Sequence, residues 1–146
     1  DVTRVEPMLE RLWFAPTAFE TVPAEYYVPA SAAKSLDVLR AHGIELRQTT
    51  APLEGVEEFV ITGNTARPAN PRSIDTQNHE LRTLEGYWRP ATTPVPAGAF
   101  AVALNQKLAR LAFIMLAPTS DDGLVNWNFL DDMLQDGKPY PILRKR

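Results

Sequence analysis

An α+β fold, a mixed or antiparallel sheet with two to three helices packed on it, is predicted by three features of this 146-residue sequence. Short stretches rich in Val, Ile, Phe and Tyr recur along the chain, each of strand length. Apolar residues at helical spacing occupy only residues 31–42, 105–116 and 125–134. From residue 25 to residue 62 the order reads strand, helix, strand, strand, which is not the regular alternation of a parallel α/β sheet. The length and the 45% apolar, 23% charged composition suit one globular domain over residues 1–146. Such a chain buries roughly 70% of the surface that its unfolded form exposes.

Residues 10–22 mix β-formers with Pro16 and read as two short strand pieces. Glu25-Tyr-Tyr-Val-Pro29 reads as an aromatic strand. Ser31 is placed to cap a helix in which Ala32, Leu36 and Leu39 share a face, and Gly43 ends it. Residues 44–49 and 56–62 follow as strands. Residues 63–75, with two asparagines, two prolines and two arginines, read as an exposed loop. Strands are expected over residues 79–89 and 100–104, separated by turn residues 92–98. Asn105 is placed to cap a second helix, with Leu108, Leu111, Ala112 and Met115 inward and Pro118 enforcing its stop.

The stretch Asp121-Asp-Gly-Leu-Val-Asn-Trp-Asn-Phe-Leu-Asp-Asp-Met-Leu134 poses the main chemical question. Four carboxylates in fourteen residues suit either a metal site or the start and solvated side of a helix. On a helical wheel Val125, Trp127, Phe129, Leu130 and Met133 share a broad face, and Asn128, Asp131, Asp132 and Gln135 lie opposite. A third helix follows, with Asp121 and Asp122 at its amino end, Asp131 and Asp132 solvated, and Gly137 beyond it. Asn126 alone sits on the apolar face and needs partners, which the turn at residues 119–123 is placed to supply. The calcium-loop pattern fails because apolar residues stand where alternating oxygen ligands belong.

Composition excludes several functions. Fifteen Lys and Arg against eighteen Asp and Glu give a net charge of −3, with no single-sign field to hold a phosphate backbone, so nucleic acid is not an expected partner. No apolar run approaches the roughly 20 residues of a membrane span. There is no cysteine, hence no disulfide and no thiolate ligand or nucleophile. His42-Gly-Ile-Glu45 has the letters of a zinc-binding pair, but it straddles a helix end and a strand start, and only His79 remains as a third ligand. None of Ser31, Ser35, Ser73 or Ser120 lies in a Gly-x-Ser-x-Gly elbow. Glu57 and Glu58 are neighbours on a strand and point to opposite faces. Trp13, Tyr26, Tyr27, Tyr87 and Trp88 read as core or cross-strand pairs first and as a sugar-stacking platform second. No catalytic residue, cofactor-binding residue or metal ligand is assigned in this chain.

Tyr26-Tyr-Val-Pro-Ala30, Val38-Leu-Arg-Ala-His-Gly-Ile44, Val56-Glu-Glu-Phe59, Pro96-Ala-Gly98 and Ser120-Asp-Asp-Gly-Leu-Val-Asn-Trp-Asn-Phe129 together resemble the region that follows the catalytic domain in bacterial M14-family zinc carboxypeptidases. That family holds zinc through a His-x-x-Glu pair and a later histidine, binds the substrate carboxylate with an arginine and activates water with a glutamate. No position here matches those motifs, since His42 and Glu45 match in letters only and no histidine follows His79. The resemblance therefore implies a non-catalytic accessory domain that packs on or extends an upstream peptidase domain, with zinc held in that domain, and an exported protein, secreted or periplasmic. The opening Asp-Val-Thr suggests a piece of a longer protein. The alternatives are a stand-alone glycan- or protein-binding module using Tyr87, Trp88 and residues 67–72, and a small zinc hydrolase.

Overall fold

The computed structural model describes residues 15–16, 19–68, 79–135 and 137–146. Its frame is a six-stranded antiparallel sheet carrying two α-helices, so the α+β class stands, with the sheet antiparallel and the helix count at the low end of the expectation. The elements are β1 (Glu25–Val28), α1 (Ala33–Ala41), β2 (Arg47–Gln48), β3 (Glu57–Arg67), β4 (Leu81–Pro90), β5 (Phe100–Ala103), α2 (Ala109–Leu116) and β6 (Leu143–Lys145). Their order across the sheet is β2-β5-β1-β6-β3-β4. The expected strand pieces at residues 10–22 lie largely outside the described residues, and residues 19–22 form no strand.

The aromatic stretch at residues 25–28 becomes a central strand because its side chains fill both faces. Tyr26 and Val28 enter the main core, and Tyr27 enters a second, smaller cluster with Val56, Val95, Ala99 and Ala101. Tyr27 stands opposite Ala101 on one neighbouring strand and Leu143 on the other. Alternation with a period of two puts adjacent residues on opposite faces. The main core lies between the sheet and the helices: Leu36 and Leu39 of α1 and Ala112, Met115 and Leu116 of α2 share one cluster with Phe59, Ile61, Val102 and Ile142.

Helix α1 ends as its glycine predicts. Gly43 has φ +78°, its N–H donates to Arg40 O, and the N–H of Ile44 donates to Leu39 O, the pair of bonds that closes a left-handed helix end. The amino-terminal caps read from sequence are not formed. No side chain caps α1, whose boundary residue is Ala32 rather than Ser31, and α2 begins at Ala109 after Leu108 rather than at Asn105.

Residues 63–67, expected in an exposed loop, belong to a strand, because β3 runs on to Arg67 and pairs with β4 along its whole length. A register shift between Ile61 and Gly63 places an extra residue in β3. Opposite it stands Gly86, where a Cβ would lie 2.0 Å from the Val60 carbonyl and 2.6 Å from the Phe59 ring. Glycine is required here by this close approach. Strand β6, which has no clear sequence signal, threads between β1 and β3 and ties the two halves of the sheet together.

The third helix is absent. Residues 121–130 form successive turns and only Asp131–Met133 closes a 3-10 turn. Backbone N–H groups of Trp127, Asn128 and Phe129 donate to Gly123, Val125 and Leu124, so the bonds step four, three and five residues back instead of repeating one interval. Asn128 has φ +64°, outside helical space. The apolar face nonetheless finds the core: Leu124, Val125 and Leu130 are buried and Phe129 and Met133 pack against them, whereas Trp127 is only half-buried and lies outside that cluster.

Candidate functional site

Three groups of side chains carry chemistry. The first is the zinc set read from sequence, and the fold does not assemble it. His42 closes α1 with Nδ1 2.9 Å from the Val38 carbonyl. Glu45 is exposed ahead of β2, and its backbone N–H donates to Gln106 Oε1. His79 stacks on Trp127, ring centroids 4.2 Å apart and planes 12° from parallel. Among the described residues no three His, Asp or Glu side chains stand together where they would hold a metal ion. The donor set does not fit zinc.

The second group surrounds Trp127. A cleft of about 500 Å³ between the far end of β3, the start of β4 and the 121–130 turns is lined by Thr65, Arg67, His79, Asp122, Asn126 and Trp127. Trp127 and Asp122 also border a more apolar groove of about 420 Å³ beside Val38, Met115 and Phe129. The indole Nε1 donates to Asp122 Oδ1 at 2.7 Å. Asp122 thus orients Trp127 and is no helix cap. Asp131 is only partly solvated, at 32% side-chain exposure: its carboxylate takes Nε and NH2 of the largely buried Arg82, at 2.9 and 3.4 Å, and Nδ2 of Asn128. Asp132 does face solvent, and among the described residues it pairs with Lys34. Asn126 is buried as expected, but its partner is the Arg82 carbonyl on β4, not the 119–123 turn. Of the acidic bracket, Asp131 ties its loop to the sheet through Arg82 on β4, and Asp132 meets α1 through Lys34.

The third group is an aromatic and arginine face. Arg144 on β6 is 3% exposed; its Nε donates to Glu57 Oε2 at 2.8 Å and its NH1 to Glu20 Oε1 at 3.0 Å. Its guanidinium carbon lies 4.0 Å from the centroid of the Trp88 ring, and Trp88 Nε1 donates to the same Glu20 oxygen. Trp88 also meets Phe59 edge-on, with centroids 5.3 Å apart. A buried guanidinium is held here by two carboxylates and a ring face. Around this clamp opens a cleft of about 580 Å³ lined by Phe19, Tyr87, Trp88, Phe113, Ile114 and Arg144, among others. Sequence reading found Tyr87 and Trp88 but missed Arg144 and Glu20, since the Arg-Lys-Arg run at residues 144–146 and a single glutamate at residue 20 carry no motif.

The remaining candidates are structural. Glu57 and Glu58 do face apart, Glu57 to Arg144 and Arg146, Glu58 to Arg89. Ser35 is buried and donates to the Phe129 carbonyl, and Ser120 accepts from the Asp122 N–H. Among the described residues no serine bonds to a histidine. Trp13, Ser73 and residues 69–72 lie outside the described residues. Tyr26 and Tyr140 are core side chains: burial holds both phenols well above their usual pKa, with Glu20 adding to the effect and, at Tyr26, Arg144 opposing it. Tyr27 is raised as well, first by burial and then by its hydrogen bond to Glu25.

These features define an α+β fold with an open cleft beside Trp88 and Arg144. No family model matches the chain, and no solved structure matches it. It is similar to part of a carboxypeptidase: 28% identical over 123 residues to carboxypeptidase 2 of Trichophyton tonsurans, and 27% over 143 residues to carboxypeptidase 2 of Trichophyton rubrum. The matches cover 84% and 97% of this chain, but only 22% and 24% of those proteins. The chain thus spans less than a quarter of the length of the curated relatives it matches. Both relatives are fungal, so they lend no support to a bacterial source.

Proposed function

We propose that this chain is a non-catalytic C-terminal domain of an M14-like zinc carboxypeptidase, packed on the peptidase domain of the same protein. The observation that carries the reading is the lopsided match: nearly all of this chain against under a quarter of a carboxypeptidase. The failure of His42, Glu45 and His79 to converge supports placing zinc and the general base outside residues 1–146, because hydrolytic zinc needs three protein ligands, an open water position and a base beside it. Export of the protein belongs to the same proposal.

The test compares the chain alone with the natural protein extended upstream of Asp1. Metal content after dialysis against trace zinc, and release of C-terminal residues from peptides with and without chelator, are measured for both. The expected result is no stoichiometric zinc and no cleavage from residues 1–146, with both present in the longer protein. One zinc per chain, lost together with cleavage on His42→Ala, would overturn the reading. A stand-alone protein-binding module is the second reading, favoured by the 54% exposure of Tyr87; it predicts that the natural protein contains no peptidase segment.

A further inference from the structure

The two edges of the sheet are finished differently. At one edge β2 is two residues long, whereas at the other β4 presents ten, Leu81–Pro90. A bare edge is a row of unpaired N–H and C=O groups, which proteins blunt with lysine, proline, a bulge or a very short strand. β4 has no lysine, its proline is its last residue, and the bulge lies on β3. Among the described residues no strand pairs with its outer side.

The backbone bonds show which groups face out. Tyr140 N–H donates to Phe59 O, so Phe59 turns its N–H and C=O away from β4, and Trp88 opposite it turns its own outward. Gly86 does the same one pleat further on, while Ala91, whose N–H donates to Val56 O, fixes the alternation from the other end. The missing N–H of Pro90 thus falls on the open side, where it costs no bond to β3. Glu85, Tyr87 and Arg89 leave the strand on the face opposite to that of Trp88, and all three are exposed. Glu85 forms no ion pair among the described residues, and Arg89, paired with Glu58, keeps 48% of its side chain exposed.

Antiparallel pairing of this edge with a copy of itself about a two-fold axis sets every residue opposite one fixed partner. With the axis at Glu85, two carboxylates meet. With the axis at Gly86, Glu85 faces Tyr87 and Arg89 faces Thr83. With the axis at Tyr87, Glu85 faces Arg89 in both halves, Tyr87 faces its own copy, and Trp88 faces Gly86, whose missing side chain leaves room beside the indole. Opposite charges and aromatic pairs directly across a strand pair are favourable, and like charges are not. Gly86 and Trp88, the residues whose bonding groups face out, then exchange hydrogen bonds with each other across the axis.

We propose that β4 pairs with β4 of a second copy of this chain, antiparallel and centred on Tyr87, so that two sheets join edge to edge with Glu85 against Arg89. The occupant is a second copy because the charges of the edge complement themselves in this register. The proposal stands apart from the carboxypeptidase reading, since it uses only the strand and its side chains.

Sedimentation equilibrium of the natural protein over a concentration series reads the dimer, and disulfide trapping reads the register. Residues 1–146 contain no cysteine. Tyr87→Cys places a thiol on the two-fold axis, where a non-hydrogen-bonded pair brings the α-carbons to about 4.5 Å, within the span of a disulfide. Thr83→Cys, which lies opposite Ala91 in this register, is the control. The expected results are a dimer whose fraction rises with concentration, a disulfide-linked dimer on air oxidation of Tyr87→Cys, and far slower linkage of Thr83→Cys. Glu85→Arg sets like charges opposite Arg89 twice and is expected to weaken the dimer roughly tenfold, with the near-UV circular dichroism of the fold unchanged because Glu85 is exposed. A monomer at every concentration up to millimolar, equal linkage of the two cysteine variants, or an unchanged dimer constant in folded Glu85→Arg would each overturn the proposal.

Discussion

The two faces of the sheet are packed differently, and adjacent tyrosines show how. Tyr26 is 0% exposed on the helix side, and among the described residues its hydroxyl has no hydrogen-bond partner. Tyr27 points the other way into a cluster of mostly small side chains, and its hydroxyl reaches the carboxylate of Glu25 at 2.6 Å. The helix side gains stability from volume: eighteen buried residues form one cluster there. The hydrophobic cluster on the opposite side has, among the described residues, five buried members, beside loops that are held by bonds such as those between Leu53 and Val95. On the large side an unsatisfied hydroxyl is tolerated because burial of the ring outweighs it; on the small side packing alone is too thin, and polar bonds finish the seal.

The largest expected effect belongs to the helix side. Phe59→Ala removes a ring that contacts both Trp88 and Tyr140 edge-on, and is expected to cost about 3–5 kcal/mol in a denaturant titration. Val95→Ala, its counterpart in the small cluster, removes two methylene equivalents and is expected to cost about 1.6 kcal/mol. Equal losses at the two sites would erase the distinction between the faces. Next comes Asp131→Ala, which strips a largely buried Arg82 of its closest partner; an expected loss of about 1–3 kcal/mol would set it apart from the exposed Asp132, where Asp132→Ala should stay within about 0.5 kcal/mol.

The tyrosines sharpen the contrast at smaller scale. Tyr140→Phe deletes the bond to the Leu116 carbonyl and is expected to cost about 1 kcal/mol, whereas Tyr26→Phe removes a hydroxyl that satisfies nothing and is expected to be neutral or stabilising by thermal melting. All three buried phenols also make stability depend on pH. In the unfolded chain they lose their protons near pH 10, while burial keeps them protonated in the fold, so above that pH the folded state binds more protons. Their contribution is intact below about pH 10 and is lost as pH rises through the folded-state values. Tyr26→Phe should flatten that alkaline decline, measured by unfolding free energy at successive pH values.

Much of this was legible in the sequence. The Tyr-Tyr-Val alternation placed β1, Leu36 and Leu39 placed the inner side of α1, and Gly43 placed its end. The residues 121–134 misled, because a helical wheel records which side chains go inward and not which backbone carries them. Gly123 must stay bare, with a Cβ there only 2.9 Å from the Ile114 carbonyl, and Asn128 takes a left-handed turn that helix-forming neighbours do not announce. The aromatic and arginine face was half visible. Tyr87 and Trp88 were seen, but Glu20 and Arg144 stand 124 residues apart and meet only when the sheet closes.

Strand β6 has a consequence for how the molecule comes into being. Residues 143–145 sit between β1 and β3, so the sheet stays in two parts, β2-β5-β1 and β3-β4, until β6 is in place. The β3-β4 hairpin is local and can zip while translation continues; joining it to β1 requires closing a loop of more than a hundred residues. Contacts so distant in sequence make for slow folding. A chain in which β6 has not yet docked holds two half-sheets with bare facing edges, which makes this three-residue strand the step on which closure of the sheet depends.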